Sequence, residues 1–287
     1  MKLNSDKKIL IGGGFILLAA AAYACMSTLV KFGDKIPDEQ LVFVRNFVCL
    51  IVLIPWLVLP KPKSLKTTVF KNHFIRASAG LLNMYCFFYS IPYLTLTDAV
   101  LLNNTMPLFI PLIVWIWKRE VISMKLIPGL LIGFLGVVVI LHPDAVIFRP
   151  AALLALASGL FMAISMTGIR ELQKIDPPYR ILFYYFFISS IISAFPLIWS
   201  WQNHPFSLWL ILIGVGVFAA IYQFFLTKGY QHAHPAKVSP LIYFSVILSG
   251  VFDWIFWHKT PEIASYFGIP LVIVGAIWCI RSEAKKT

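Results

Sequence analysis

Apolar runs of bilayer length, broken at short intervals by charged residues, Pro or Gly, are the dominant pattern of this chain. A hydrocarbon core needs about 20 mostly apolar residues per helix. Cutting the chain wherever such a run is interrupted predicts ten helical spans, at roughly 9–31, 40–59, 74–92, 98–117, 124–141, 150–169, 180–200, 207–228, 236–257 and 262–280. The connections are short, so a single compact transmembrane domain is expected. The first run follows Lys7 and Lys8 and imitates a secretion signal through Ala19–Ala22 and Ala24-Cys25. Nine further runs make it the first helix of a multi-pass protein.

Composition narrows the class. The chain is 60% hydrophobic and 13% charged, whereas soluble domains carry about 25% charged residues; a soluble enzyme is excluded. A formal charge of +12 would point to nucleic acid only if the basic residues shared one soluble face. Here they sit between apolar runs. Nineteen of the 24 Lys and Arg fall on one side of the predicted spans, in the N-terminus, the C-terminus and the even-numbered connections, including Lys61, Lys63, Lys66 and Lys71 before span 3 and, counted with that connection, Arg76 at the start of the span. Only Lys31, Lys35, Arg45, Arg149 and Lys259 fall on the other. The positive-inside rule then puts both termini in the cytoplasm of a cell with its plasma (bacterial inner) membrane as host. The four cysteines, Cys25, Cys49, Cys86 and Cys279, lie in apolar runs without paired spacing. They read as packing residues, not as disulfides or a metal site.

Sliding the chain against itself by about 139 residues brings its halves into register. Ala24-Cys25-Met26-Ser27-Thr28 falls beside Ala163-Ile164-Ser165-Met166-Thr167, and Lys31 beside Arg170. A slightly smaller shift places Met84-Tyr85-Cys86-Phe87-Phe88 beside Ile221-Tyr222-Gln223-Phe224-Phe225. Gly129 and Gly136 match Gly268 and Gly275. The predicted architecture is an all-α membrane protein of ten transmembrane helices in two five-helix repeats, 1–147 and 148–287. Five is odd, so the second repeat enters the membrane from the opposite side. Such inverted repeats hold a substrate near the midplane and expose it alternately to each side.

Several stretches resemble the EamA-type family of the drug/metabolite transporter superfamily. The first half has Phe43-Val44-Arg45-Asn46, then Asp98-Ala99 through Met106-Pro107-Leu108-Phe109, Trp117-Lys118-Arg119-Glu120, and Gly129 to Gly136. The second has His234-Pro235-Ala236-Lys237-Val238-Ser239-Pro240-Leu241, with Gly268 and Gly275. The resemblance implies a 5+5 carrier of small organic metabolites, often amino acids or their derivatives. It also implies that the glycine-bearing spans 5 and 10 form a packing seam and not the site.

A polar side chain in hydrocarbon is costly unless partnered, so each is a candidate contact for substrate. Asn83, Asn103 and Asn104 are the deepest amides of the first half, with Gln223, Ser239, Ser245 and Ser249 their counterparts. For the amides, substrate contact and helix-to-helix bonding are equally open; the serines read as bonds between helices. Tyr23, Tyr85, Tyr222 and Tyr243 lie well inside their spans and suit an amphipathic cavity, while Trp254 and Trp257 lie near an end. Arg45 and Asp253 share a depth near the outer side; Arg45 is expected to bind a substrate anion or to pair with Asp253 as an outer gate, against a snorkelling or structural role. Pro107 and Pro111 in span 4 and Pro240 in span 9 permit kinks.

No paired carboxylates, phosphate-binding Gly-rich loop or third ligand beside His232 and His234 is apparent. No enzyme activity, metal or cofactor is therefore expected. The expected function is secondary transport of a small amino-acid-like or amphipathic metabolite, by export, through a cavity between spans 1, 3, 4, 6, 8 and 9. Uptake or exchange of a nucleoside-containing metabolite such as S-adenosylmethionine is the alternative, with Phe183-Tyr184-Tyr185 suited to a stacked base. An intramembrane lipid-modifying enzyme is the rival outside that class. The partners expected are the bilayer and the substrate, with no nucleic acid, for a monomer or homodimer.

Overall fold

The computed structural model describes residues 5–58, 64–119, 124–141, 150–232, 238–259 and 263–284. Among them no strand is present, and the chain is helical almost throughout. The helices are α1 (Ser5–Phe32), α2 (Asp38–Val58), α3 (Phe70–Ser90), α4 (Leu96–Asn103), α5 (Met106–Lys118), α6 (Ile127–Leu141), α7 (Pro150–Leu172), α8 (Pro178–Ala194), the single turn α9 (Leu197–Ser200), α10 (Phe206–His232), α11 (Phe244–Trp257) and α12 (Ile263–Ala284). Five helical stretches are long and apolar enough to cross a bilayer: Lys8–Phe32, Asp38–Val58, Leu96–Trp117, Pro150–Ile169 and Phe206–His232. Shorter apolar helices cover Met124–Val139, Leu241–Trp257 and Ser265–Cys279. Large apolar side chains such as Ile116, Leu131, Ile191, Ile247 and Val251 face outward, the reverse of a water-soluble surface.

Span 4 is broken where its sequence requires it. Pro107 lacks the N–H that a continuous helix needs and disfavours helical backbone at the residue before it. Accordingly α4 stops at Asn103 and α5 starts at Met106, with Asn104 and Thr105 between them. Pro111, by contrast, lies inside α5, and Pro240 falls in the 3-10 turn Ser239–Tyr243 that precedes α11.

Helix pairing is regular. α1 runs along α10, α3 along α7 and α6 along α12, with α2 and α8 packed on each other. The α6–α12 contact depends on glycine. A Cβ at Gly275 would lie 2.4 Å from the backbone nitrogen of Gly133, and one at Gly136 would lie 2.7 Å from that of Val272. Gly136 also meets the Gly268 carbonyl and Gly129 the Gly275 carbonyl. As the residue number rises along one helix the contact falls along the other, so the two run antiparallel.

The seam leaves no room for a branched side chain. Gly275→Val would drive two helix backbones apart and cost about 1–3 kcal/mol. The expected result is a lowered apparent Tm in detergent, read by tryptophan fluorescence, whereas Gly14→Val, with open space around its Cβ, leaves it unchanged.

Candidate functional site

Between α1, α2, α3, α4, α7, α8 and α10 lies a small polar and aromatic cavity. Of the ten residues expected to contact substrate, Tyr23, Arg45, Asn83, Asn103, Tyr222 and Gln223 line it. Tyr85, Asn104, Tyr243 and Asp253 do not. The expected helix set shifts as well: spans 2 and 7 supply Arg45 and Tyr185, while span 9 contributes nothing to the lining. At about 40 Å³ the cavity has room for a few waters and none for a metabolite, so a substrate enters only if the helices part.

Arg76 is the largest departure from the sequence reading. Assigned there to a cytoplasmic connection, it instead lies six residues into α3, is 3% exposed and faces the cavity. A signal for it was present. Arg76, Gly80, Asn83, Met84 and Phe87 follow the i, i+4, i+7, i+8, i+11 spacing of one helical face, and all five line the cavity. Glycine is needed at position 80 because a Cβ there would fall 2.6 Å from the ring of Tyr185.

The two arginines converge on that ring. The guanidinium carbon of Arg76 lies 3.4 Å from the Tyr185 centroid and that of Arg45 5.9 Å. Arg45 donates from Nη1 to Asn46 Oδ1 at 2.9 Å, and Asn46 is itself held by donating to the Val42 carbonyl. Around them the amides are committed to neighbours. Tyr23 donates to Asn103 Oδ1 at 2.7 Å, Asn103 Nδ2 donates to Ser158 Oγ at 2.8 Å, and Asn83 Nδ2 donates to the Ser158 carbonyl at 2.8 Å. Tyr23 also packs on Phe87 and Tyr222.

The remaining candidates hold helices together. Asn104 donates to Ser245 Oγ and receives Tyr243 at its carbonyl. Ser245 and Ser249 return their hydroxyls to the helix backbone; the side chain of Ser239 lies outside the described residues. Asp253 pairs with Lys31 at 2.7 Å and not with Arg45. Its other oxygen accepts from Thr97 N and Oγ1, and Lys31 also reaches the Leu94 carbonyl and the Trp257 ring. This ties the end of α1 to the start of α4 and to α11. At the opposite end Asp176, between α7 and α8, accepts from Thr67 and Arg180 and pairs with His73. Phe183 and Tyr184 do not line the cavity; Tyr184 donates to the Leu65 carbonyl. Among the described residues no group of three or more metal-binding side chains occurs. His232 bonds the Lys228 carbonyl, and His234, like Glu120 and the first half of the 234–241 motif, lies outside the described residues.

The sequence profile of the EamA-like transporter family matches twice, at residues 10–142 and 149–281. The chain belongs to the EamA-like transporter family. Along 96% of its length it is 28% identical to the pseudopaline exporter CntI of Pseudomonas aeruginosa, covering 98% of that protein. It is 24% identical to a riboflavin transporter of Vibrio cholerae (96% and 95% covered) and 25% identical to an S-adenosylmethionine uptake transporter of Rickettsia conorii (97% and 95% covered). A solved crystal structure shares the fold with a TM-score of 0.63 at 19% identity, covering 95% of this chain and 96% of that one. The EamA-like family and the relatives' names support a transporter embedded in a membrane, not an enzyme.

Two consequences of the buried ionic contacts are measurable. Asp253→Asn or Lys31→Met alone strands one charge of a buried pair and is expected to cost about 3–5 kcal/mol; the double variant Lys31→Met/Asp253→Leu recovers most of it, as read by thermal unfolding in detergent. Burial alone would push the Asp176 carboxyl up, but hydrogen bonds from Thr67, His73 and Arg180, with the Arg180 charge, hold it below the usual carboxylate range. Its stabilisation is present above about pH 4, the unfolded value, and is lost as pH falls through the lower folded one. The stability gap between wild type and Asp176→Asn is therefore expected to close as pH falls below about 4, the loss read by thermal unfolding.

Proposed function

We propose that this chain is a secondary transporter that moves a small, carboxylate-bearing organic metabolite across the bacterial inner membrane by alternating access, in the export direction. In this reading ten spans form two inverted five-helix repeats, 1–147 and 148–287, with both termini cytoplasmic, working as a monomer or homodimer. Four features support it. The two family matches are offset by 139 residues at both ends. In the α6–α12 seam Gly136 meets Gly268, the equivalent of Gly129, while Gly129 meets Gly275, the equivalent of Gly136; such reciprocity is the mark of a two-fold relation. Arg119 and His258, also 139 apart, both end their helices in left-handed backbone. Of the basic residues on the outer side, Lys31 and Arg45 are buried within the protein, as is Arg76 of the inner set, so the excess of cytoplasmic charge sharpens.

The single observation that carries the function is the small cavity between the halves, with two buried guanidinium groups and no acid among the described residues of its lining. Broken helices meeting at a midplane cavity are how such carriers bind substrate, and the α4–α5 break sits beside Asn103. Two cations favour an anionic group on the substrate, such as the carboxylate of an amino-acid-like metabolite; S-adenosylmethionine carries that carboxylate too, but its additional sulfonium cation is repelled by the arginines. Energy would come from a gradient or exchange.

Reconstituted in liposomes, the protein is expected to exchange radiolabelled carboxylate-bearing metabolites in counterflow. Arg45→Gln and Arg76→Gln should each reduce flux at least ~10-fold, the loss of a charge-assisted contact worth about 1.5–3 kcal/mol. Unaltered kinetics in both variants, at normal folding, would retire the site.

A further inference from the structure

Charge in the cavity is unbalanced in one direction. Arg45 is 4% exposed and Arg76 3%, and none of the described residues lining the cavity is acidic. Three of their donors, Arg45 Nε and Arg76 Nε and Nη1, are buried without an acceptor. Elsewhere in the same core the chain satisfies its ions: Asp253 has Lys31 and two Thr97 donors, and Asp176 has three partners. His73 Nδ1 and the hydroxyls of Tyr85, Ser189 and Ser190 also lack partners, but the arginines are the buried fixed charges without an acid beside them among the described residues, and a buried charge without a counter-ion is among the costliest things a fold can hold.

Geometry defines what would complete them. A guanidinium presents a planar fork of N–H groups matched to the two oxygens of a carboxylate or phosphate. Both arginines lie against Tyr185, so their guanidinium carbons are no farther apart than those two ring distances together. One carboxylate on one arginine would leave the other cation still unneutralised. The neighbouring Asn83 and Asn103 already donate to Ser158, which leaves the guanidinium N–H groups as the charged open donors, beside the Tyr222 hydroxyl and the Gln223 amide in the lining. Ring faces of Tyr23, Phe87 and Tyr222 supply the apolar part of the wall.

We infer that the cavity takes a metabolite with two anionic groups on a short spacer, one held by Arg45 and the other by Arg76. This names the substrate class of the proposed transporter and rests on that reading for its role, though not for its binding chemistry.

Thermal unfolding of the purified full-length protein in detergent tests it, with glutarate, citrate and pyrophosphate as probes, against butyrate and chloride at matched ionic strength. Ligand that binds only the folded state raises the apparent Tm. The three polyanions are expected to raise it by several degrees and butyrate by far less. Arg45→Met and Arg76→Met should each raise the Tm of the empty protein, because a like charge is removed, and each abolish the advantage of polyanion over butyrate. A purely structural role predicts the opposite: lower Tm in both variants. The assignment is overturned if none of the three polyanions stabilises wild type beyond butyrate, or if both variants are less stable than wild type and keep the polyanion response. Translocation is read separately. A polyanion response without counterflow upholds the dianion site and removes the transporter reading, whereas counterflow of a monoanion or cation that is indifferent to both variants overturns the site alone.

Discussion

Hydrocarbon offers no hydrogen bonds, so every polar group placed in it must find its partner within the protein. That constraint accounts for the rest of the structure. It makes the chain helical wherever it is apolar, and it breaks α4 from α5 only where Asn104 and Thr105 are buried among α7 and α11 and their polar groups are taken up. It also explains why Asp253, wholly buried, is ringed by Lys31 and Thr97. Against this background the orphan N–H groups of Arg45 and Arg76 mark a place where the fold is incomplete by itself. Such incompleteness is what a binding site trades for affinity, since a ligand supplies the missing acceptors.

The two stretches that match the family, 10–142 and 149–281, share landmarks in sequence but not in charge. Pro37 and Pro177 precede α2 and α8, and Arg45 and Tyr185 each lie eight residues further on. Where the first half carries a guanidinium, the second carries an aromatic ring, and the ring is the surface on which both arginines of the first half rest. The two positions matched by this spacing, an arginine and a tyrosine, thus meet at the cavity, and the difference between them gives the cavity its polarity. The ion pairs at the two ends are likewise unmatched: Lys31–Asp253 joins α1, α4 and α11, while Asp176 joins the segment before α3, α3 itself and α8. Parting the helices at either end therefore means separating different contacts, and the two openings need not cost the same.

Much of this was legible in the sequence because it depends on local composition. Bilayer-length apolar runs located most of the helices to within a few residues, although α11 begins only at Phe244 where span 9 was expected from 236 and α8 ends at Ala194 where span 7 was expected to reach 200; Pro107 marked the break, and the glycines of α6 and α12 marked their seam. Six of ten candidate site residues line the cavity, since depth along a span is readable from its ends. Rotation about the helix axis is not. Tyr85 and Asn104 are as deep as their neighbours Met84 and Asn103 but point elsewhere. Pairing is hidden too: Asp253 finds Lys31 across 222 positions, and nothing local distinguishes that partner from Arg45. Arg76 was missed for a different reason. Charge near a helix start reads as a loop charge, and only the polar stripe it shares with Asn83 reveals the face it occupies.

The account turns on two bundles that face opposite ways about a shared cavity. Reporter tags at the N-terminus and beside Pro143, in the connection between α6 and α7, measure this most directly in intact cells. In the proposed arrangement five crossings separate the two positions, so the N-terminal tag is predicted to report from the cytoplasm and the Pro143 tag from outside. Both tags reporting from the cytoplasm would contradict the inverted arrangement and the carrier mechanism built on it.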